Sequence, residues 1–271
     1  MKSLKSILFL LVLLISSVAF SQNQQLNFDR IGSREGLSDL NPLCIIQDSR
    51  GFIWIGTENG LNRYDGHQFK VFYNDPADST TLSSNYVKDI LEDGHGDLWI
   101  ATHGGGLNRF DRKKNSFSHF LYDPANPNTV SSNMINKIVK ESSGKFWIAT
   151  SDGLVLFDPL SNRFTKLSHK NNNPSSLSDN NLTTALLDSK GDLWLGTLSG
   201  GLNRFVRKDS TFIRYTHNRT DQKTISGDNI SAIFEDSDHR LWIGTKGDGL
   251  NLLDTETGTF THFRNTADEN S

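Results

Sequence analysis

The sequence is poor in the residues that build disulfide frameworks and thiolate metal sites. Cys44 is the single cysteine among 271 residues, so one chain can form neither an internal disulfide nor a cluster of thiolate ligands. Cys44 lies in the apolar run 43–46, which predicts a buried structural role rather than a reactive one. No segment after residue 21 is apolar over the roughly 20 residues that a membrane-spanning helix needs.

Charge and histidine patterns exclude further classes of function. The 28 basic and 31 acidic residues contain no block of one sign, which argues against a nucleic-acid partner. The eight histidines are scattered, with no pair at helical spacing. Asp93, His95 and Asp97 resemble the start of a calcium loop, but no Glu stands at its twelfth position. We therefore predict no metal, no cofactor and no catalytic residue.

The N-terminus has the pattern of an export signal. Lys2 and Lys5 precede the apolar run 7–15, and small residues stand at Ala19 and Ser21. This pattern predicts a signal peptide over residues 1–21, cleaved before Gln22. An uncleaved membrane anchor is the alternative, for which the apolar run is short. The rest of the chain, 22–271, is expected to form one domain in the periplasm or outside the cell, with no membrane span.

A repeat dominates the mature sequence. All five tryptophans occur in the same phrase, an apolar residue followed by Trp, Ile or Leu, Gly or Ala, and Thr, and their spacings are 45, 48, 47 and 48 residues. A period in the forties with β-type sequence inside each copy is typical of propeller blades. The repeated tryptophans are Trp54, Trp99, Trp147, Trp194 and Trp242.

Each copy contains four short β-type segments separated by turns. An acidic residue opens the first turn, as in 48–51 (Asp-Ser-Arg-Gly). The second turn ends in Gly-Leu, as in 106–107. An aromatic pair three residues apart, such as Phe117 and Phe120, follows in most copies. That spacing departs from strand alternation and predicts a bulge or a twist in the outer strand.

These features predict an all-β propeller of four-stranded antiparallel blades. Stacked blades bury both faces of each sheet, so the tryptophans are expected to fill the space between blades. A row of sugar-stacking tryptophans is the rival interpretation, but a binding site needs asymmetry and every copy has the Trp. The predicted blades cover approximately residues 40–73, 85–121, 133–168, 180–216 and 228–264.

Both ends of the repeat array predict an incomplete propeller. Segment 26–31 followed by 36–38 has the sequence pattern of a fourth strand and its connection. The fifth copy already contains a fourth strand, 259–263, so the N-terminal strand has no blade to complete. Segment 264–271 begins another connection. We expect these five repeats to belong to a larger propeller, and their exposed edges to favour self-association or association with further blades.

The repeat phrase resembles the two-component regulator propeller repeat. The resemblance rests on Asp-x-x-Gly-x-Leu/Ile-Trp-Ile/Leu-Gly/Ala-Thr followed by Gly-Leu-Asn-Arg-Phe/Tyr-Asp, and it extends from about residue 27 to the end. Small departures occur at Leu156, Val206 and His239. The resemblance implies the periplasmic sensor region of a bacterial hybrid histidine kinase, with an oligosaccharide as a frequent ligand and a kinase that this chain does not contain.

Three functions remain open at this level. A ligand-sensing propeller is the first, and a secreted propeller enzyme, such as a glycan or lactone lyase, or a protein-binding scaffold are the alternatives. The second turn of each blade varies most between copies and lies at the same end as the inter-blade connections. Neutral drift in exposed turns would give the same variation. The candidate ligand-binding residues in these turns are Glu58, His103, Asp152 and Lys246.

Overall fold

The computed structural model describes residues 28–264, which contain one short 3-10 turn, Ser33–Glu35, and otherwise only strands and loops. The prediction of an all-β protein is confirmed. The predicted signal peptide and the segment 265–271 lie outside the described residues. Residues 28–264 contain no helix that is long and apolar enough to cross a bilayer.

Twenty strands form five sheets of four. Blade one contains β1 (Pro42–Gln47), β2 (Ile53–Thr57), β3 (Gly60–Tyr64) and β4 (Phe69–Phe72), and blade two contains β5 (Val87–Glu92), β6 (Leu98–Thr102), β7 (Leu107–Asp111) and β8 (Ser116–Phe120). Blade three contains β9 (Ile135–Lys140), β10 (Phe146–Thr150), β11 (Gly153–Asp158) and β12 (Arg163–Leu167). Blade four contains β13 (Leu182–Leu187), β14 (Leu193–Thr197), β15 (Leu202–Val206) and β16 (Thr211–Tyr215), and blade five contains β17 (Ile230–Glu235), β18 (Leu241–Thr245), β19 (Gly249–Asp254) and β20 (Thr259–Phe263).

Every blade is an antiparallel meander in sequence order. The first strands β1, β5, β9, β13 and β17 pack against one another from blade to blade and form the inner wall. Each of these five strands carries an irregularity near its start, as between Val87 and Asp89 in β5. The predicted bulge in the outer strand is wrong, because β8 pairs with β7 in unbroken register.

The aromatic pair of the outer strand has a different explanation. Phe117 and Phe120 are three residues apart, an odd spacing, so a regular strand points them to opposite faces of the sheet. Phe117 packs in the cluster between blades one and two, and Phe120 packs against the cluster between blades two and three. The spacing therefore supplies one ring to each neighbouring junction.

The core is divided into four clusters, one at each junction between blades. Trp54 is fully buried and meets Phe110 of blade two edge-on, with ring centroids 5.6 Å apart. Trp99, Trp147 and Trp194 are also buried and pack into the following blade. Trp242 of blade five is only half-buried.

The five blades form an open arc. Each inner strand packs on the next from β1 to β17, but within residues 28–264 β17 does not return to pack against β1. Ile45 on β1 is 67% exposed and Phe234 on β17 is 63% exposed. In the described part of the predicted strand 26–31, residues 28–31 form no strand. The connection that follows does form, since the Ser38 amide donates to Asn62 Oδ1.

The close contact between blades four and five predicts how a methyl group added at Gly196 changes the stability of the protein. A Cβ at Gly196 would lie 2.6 Å from Ile230 of the next blade, whereas a Cβ at Gly244 in blade five meets nothing nearer than 3.3 Å. Ala101 and Ala149 occupy the position of Gly196 in blades two and three, so the backbone conformation accepts Ala there. Any loss of stability in Gly196→Ala therefore comes from steric overlap. We expect Gly196→Ala to lower the free energy of unfolding by about 1–3 kcal/mol.

Gly244→Ala is the matched control. We expect it to be neutral or slightly stabilising, because the open side of blade five has room and Ala reduces the entropy of the unfolded chain. Urea unfolding followed by circular dichroism measures both variants. Equal effects would contradict the assignment of Gly196 to a packed junction and Gly244 to an open one.

Candidate functional site

The turns between the second and third strands lie at one end of the arc together with the inter-blade connections, and we call this end the turn face. It comprises the turns 57–60, 102–106, 150–153, 197–201 and 245–249 with the connection residues 38–41, 83–86, 131–134, 178–181 and 226–229. The predicted residues Glu58, Asp152 and Lys246 are exposed on it, and His103 is half-buried.

Backbone hydrogen bonds fix the turns of blades two, three and four from two sides, whereas within residues 28–264 the turns of blades one and five are bonded to one connection each. In blade two the His103 amide donates to the Tyr86 carbonyl of its own connection, and the Gly104 amide donates to the Asn133 carbonyl of the next connection, both at 2.9 Å. The turns of blades three and four repeat this arrangement. A turn therefore bridges two connections, and its side chains vary on a fixed backbone.

Buried polar side chains support the turn face from below. Thr102 Oγ1 donates to the Gly106 carbonyl, Asn108 Oδ1 accepts from the Ser83 amide, and Asn108 Nδ2 donates to Ser83 Oγ at 2.7 Å. Because the Asn is fully buried, both ends of its amide need partners, and the connection supplies them. Equivalent Asn–Ser pairs are Asn62 with Ser38, Asn203 with Ser178, and Asn251 with Ser226.

Blade three departs from this support, since Val155 replaces the Asn. There Ser131 Oγ and Thr150 Oγ1 lie 2.9 Å apart and bond to each other, as Ser38 and Thr57 also do in blade one beside the Asn. Sequence reasoning noted the Gly-Leu phrase and the recurring connection serine but missed their mutual hydrogen bonds. The signal was available, because Asn follows Gly-Leu in the four other blades.

The four candidate residues stand on four different blades. Within residues 28–264 no hydrogen bond or ion pair joins any two of them. The Asp152 carboxylate accepts from Asn180 Nδ2 at 3.2 Å, and Asn59, next to Glu58, is held by Asn85. The structure therefore brings the candidates to one face without converging them on one point.

The junction of blades two and three is the most distinctive part of the turn face. The His103 ring lies 5.2 Å from the Tyr86 ring, and Lys88 Nζ lies 5.7 Å from the centroid of Tyr86. His103 also forms an isolated β-bridge with Met134, whose side chain is 42% exposed. Amphipathic rings beside an apolar side chain can stack on a ligand and also donate hydrogen bonds to it. Sequence reasoning missed Tyr86 and Met134, because they precede strands in connections that were interpreted as framework.

The opposite end of the arc is built for stability. Asp48 opens the first turn of blade one, where its Oδ1 accepts from two turn amides and its Oδ2 accepts from Trp54 Nε1 at 2.8 Å. Burial opposes ionisation of Asp48, but the hydrogen bonds from Trp54 and Arg112 outweigh it and lower its pKa. The same bond from Nε1 to a carboxylate joins Trp99 to Asp93, Trp147 to Glu141, Trp194 to Asp188 and Trp242 to Asp236.

A cavity of about 340 Å³ lies at this opposite end, between blades two and three, and its lining includes Trp99, Lys140 and Pro159. Arg112 and Arg207 occupy the position of Pro159 in blades two and four, and each reaches back to the acidic turn residue of the preceding blade. Pro159 has no such side chain, and the cavity opens where an arginine lies at two of the three other junctions.

The inner wall contains ionisable side chains of the kind that take part in catalysis. Asp89 is buried and accepts from Lys137 Nζ at 2.8 Å and from the Ile138 amide, and burial raises its pKa. Burial, and then the charge of Asp89, raises the pKa of the Cys44 thiol to about 12. Cys44 is therefore a thiol at neutral pH rather than a nucleophilic thiolate. Within residues 28–264 no three His, Cys, Asp or Glu side chains are grouped to hold a metal ion.

Comparison with known proteins identifies the repeat. The family model described as "Two component regulator propeller" matches residues 36–59, 81–104, 176–199 and 224–247, which lie in blades one, two, four and five. The chain contains two-component regulator propeller repeats. A stretch of 75 residues, 27% of the chain, is 43% identical to histidine kinase P4 of Formosa agariphila.

The chain is also similar to the solved extracellular domain of the hybrid two component system BT3049 from B. thetaiotaomicron. It matches with a TM-score of 0.76 and 30% identity over 86% of the chain. The two-component regulator propeller chain spans 31% of that domain and 6% of histidine kinase P4. Virginiamycin B lyase from Staphylococcus aureus matches with a TM-score of 0.59 and 14% identity over 83% of the chain and 70% of the lyase, which shows a shared fold alone.

Proposed function

We propose that the chain is part of an extracytoplasmic ligand-sensing propeller of a two-component signalling system. The observation that carries this proposal is the match to the extracellular domain of a hybrid two component system at 30% identity over 86% of the chain. The match to histidine kinase P4 supports the same assignment. A signal peptide over residues 1–21 would deliver the propeller to the periplasm or the exterior, and a histidine kinase outside this chain would receive the signal.

The turn face is the ligand-binding surface in this proposal. The turns of blades two, three and four are held on both sides by backbone hydrogen bonds, and those of blades one and five on one side, while their side chains differ from blade to blade. A rigid scaffold with variable side chains is how a specific surface is presented. The Tyr86 and His103 rings offer stacking faces, and Glu58, Asp152 and Lys246 offer exposed polar groups. An oligosaccharide fits these groups, because its apolar ring faces stack on aromatic rings and its hydroxyls bond to polar side chains.

A lyase or other enzyme is the less favoured function. The lyase match shows only a common fold, and the ion pair between the buried Asp89 and the partly exposed Lys137, like the Cys44 thiol, lies on the inner strands rather than on the turn face. Turnover measurements on a panel of glycans distinguish a sensor, which releases its ligand unchanged, from an enzyme, which releases a product.

Alanine substitutions on the turn face test the binding surface. We expect His103→Ala to weaken binding of an oligosaccharide about tenfold, which corresponds to the roughly 1.4 kcal/mol of one lost side-chain contact. Glu58→Ala, Asp152→Ala and Lys246→Ala should each weaken it by a smaller factor. Isothermal titration calorimetry against an oligosaccharide selected by thermal shift gives the dissociation constants.

His95→Ala is the control, because His95 is an exposed histidine of the same blade as His103 but lies in the first turn, at the opposite end. It should leave the dissociation constant unchanged. If the four turn-face variants bind as tightly as the unsubstituted chain, the turn face is not the ligand site.

A further inference from the structure

At the end of the arc opposite the turn face, charged side chains close the junctions between blades. The junction of blades one and two shows the full arrangement. Arg112 donates to Asp48 at 2.6 Å, to Glu92 at 2.8 Å and, through Nε, to the Gly96 carbonyl. The Glu92 carboxylate also accepts from the amide and the hydroxyl of Ser49, both at 2.7 Å. A guanidinium and a carboxylate that contact each other therefore close this junction.

Two other junctions keep one half of this pair. Between blades three and four, Arg207 donates to Glu141 and to the Gly191 carbonyl. Between blades four and five, the amide and the hydroxyl of Ser189 donate to the Glu235 carboxylate. A guanidinium, a carboxylate or both thus occupy this place at three of the four junctions.

The junction of blades two and three has neither group. Pro159 stands where blade two has its arginine, and Lys140 stands where blade two has its glutamate. Both residues line the cavity of about 340 Å³ that lies at this junction. Asp93, Gly94 and Gly144 also line it, and they are the counterparts of the residues that hold the ion pair at the first junction. The cavity therefore keeps the partners of the pair without the pair.

Two acceptors in the cavity are those that hold a guanidinium elsewhere. Within residues 28–264 Asp93 Oδ2 accepts only from Trp99 Nε1, at 2.9 Å, whereas the equivalent oxygen of Asp48 accepts from a tryptophan and an arginine. The Gly144 carbonyl accepts no hydrogen bond from these residues. Burial opposes ionisation of Asp93, but the hydrogen bonds from Trp99 and the turn amides outweigh it and lower its pKa. The carboxylate is thus charged at neutral pH.

Two donors in the cavity are suited to a carboxylate. In the described part of the chain the Gly94 amide has no acceptor, whereas the amides of Ser49 and Ser189 each donate to a glutamate. Lys140 makes no hydrogen bond or ion pair with residues 28–264, and its Nζ lies 3.7 Å from the place of a Cβ on Gly94. An ammonium beside an uncommitted amide favours a carboxylate, because both donate to its oxygens.

The other charged side chains of the lining have partners of their own. Arg109 pairs with Asp97, and Asp158 lies 3.8 Å from Lys145. The turn carboxylate and the lysine ammonium described above are left, one charge of each sign. A ligand that also carries one charge of each sign therefore matches the site.

We propose that this cavity binds a guanidino acid, a ligand with a guanidinium and a carboxylate, in the form of an arginine at the C-terminus of a peptide. The guanidinium bonds to Asp93 and the Gly144 carbonyl, as Arg112 and Arg207 bond to the equivalent groups, and the carboxylate bonds to the Gly94 amide and to Lys140. Free arginine has the same two groups, but its α-ammonium adds a charge for which the site has no partner. The site is independent of the turn face, which lies at the other end of the arc.

Three tripeptides test the two halves of the ligand on the full chain. Isothermal titration calorimetry compares Gly-Gly-Arg with its C-terminal amide, which lacks the carboxylate, and with Gly-Gly-citrulline, which lacks the guanidinium charge. We expect Gly-Gly-Arg to bind, and each analogue to bind at least about tenfold more weakly, because each loses one charge-assisted contact. L-Arginine distinguishes the sources, since tighter binding than the tripeptide identifies the free amino acid. Equal binding of all three tripeptides, or no binding of Gly-Gly-Arg and L-arginine at millimolar concentration, would overturn the proposal.

Pro159→Arg places a guanidinium of the chain itself in the cavity. The turn that follows accepts the change, because the Leu160 amide donates to Asp158 Oδ1 just as the Lys113 amide donates to Asp111 Oδ1 after Arg112. We expect this variant to lose binding of Gly-Gly-Arg while its Tm stays at or above that of the unsubstituted chain. Binding that persists in a folded Pro159→Arg chain would place the ligand outside the cavity.

Lys140→Glu restores the carboxylate of the first junction and should reverse the preference between peptides. The variant should bind Gly-Gly-Arg more weakly and its C-terminal amide more tightly than the unsubstituted chain does, because the new carboxylate repels one and attracts the other. Lys113→Glu is the control, since Lys113 is exposed outside the lining and the net charge changes by the same amount. It should leave both affinities unchanged. A Lys140→Glu chain that keeps the original preference would contradict the assigned carboxylate partners.

Discussion

Replacing Trp194 with Ala is expected to lower the free energy of unfolding by about 3–5 kcal/mol, the range for deleting a large buried aromatic side chain. Trp194 is fully buried between blades four and five, where it packs with Ile230 and Ile243. Its Nε1 also donates to Asp188, so Ala removes the partner of a carboxylate oxygen as well as the packing. Urea unfolding followed by tryptophan fluorescence or circular dichroism gives the difference.

Trp242→Ala provides the matched control, because Trp242 makes the same hydrogen bond, to Asp236, but is only half-buried on the open face of blade five. A partly exposed ring loses less apolar burial, so we expect a cost of about 2 kcal/mol or less. Equal losses at the two positions would show that the hydrogen bond, rather than burial by the next blade, sets the contribution of these tryptophans.

The second large effect is expected at Arg112, which joins two blades through a buried ion pair. Its guanidinium donates to Asp48 Oδ2 at 2.6 Å and to Glu92 Oε1 at 2.8 Å, and the Arg112 and Asp48 side chains are 7% and 0% exposed. Arg112→Ala leaves the Asp48 carboxylate buried with one partner fewer. Removing one member of a buried pair costs about 3–5 kcal/mol.

Arg207→Ala is the corresponding change at the junction of blades three and four. Arg207 reaches Glu141 as Arg112 reaches Asp48, but its side chain is 45% exposed. Solvent screens such a pair, so the loss should be about 1 kcal/mol or less. Chemical denaturation at neutral pH compares the two variants, and a loss at Arg112 no larger than at Arg207 would contradict the importance of burial.

The sequence predicts the blades well because the repeat occurs five times in it. Four strands per copy, the acidic first turn and the Gly-Leu after the second turn each recur, so an error in one copy is corrected by the others. The outer-strand bulge was wrong for a simple reason. Sequence alone does not show that Phe117 and Phe120 serve two different junctions, and their odd spacing therefore resembled an irregularity.

Pairing between distant residues was harder to predict. The acidic turn residue was interpreted as a hairpin former, and its second oxygen, which accepts from the Trp indole six residues later, becomes visible only when the turn is folded. Arg112 and Arg207 bridge adjacent blades in two of five copies, too few to stand out as part of the repeat.

The candidate binding residues were identified from their positions in the second turns, not from contacts with a ligand. Sequence variation identified the second turns, and the structure places Glu58, His103, Asp152 and Lys246 on the turn face, but no ligand tests them and they remain predictions. Tyr86 and Met134 were missed, because a single residue before each inner strand carries no repeating pattern. Only the folded junction shows that they lie beside His103.

Each blade is made from one continuous stretch of chain, and this has a consequence for how the protein matures. A blade can complete its own hydrogen-bonded sheet as soon as its four strands are available, since its strand pairings are all local. Its Trp-bearing side, however, stays uncovered until the following blade is also available, so a chain that folds from its N-terminal side always exposes one apolar surface. Folding would then advance blade by blade, and the delay before each new blade is the interval in which chaperones are most needed.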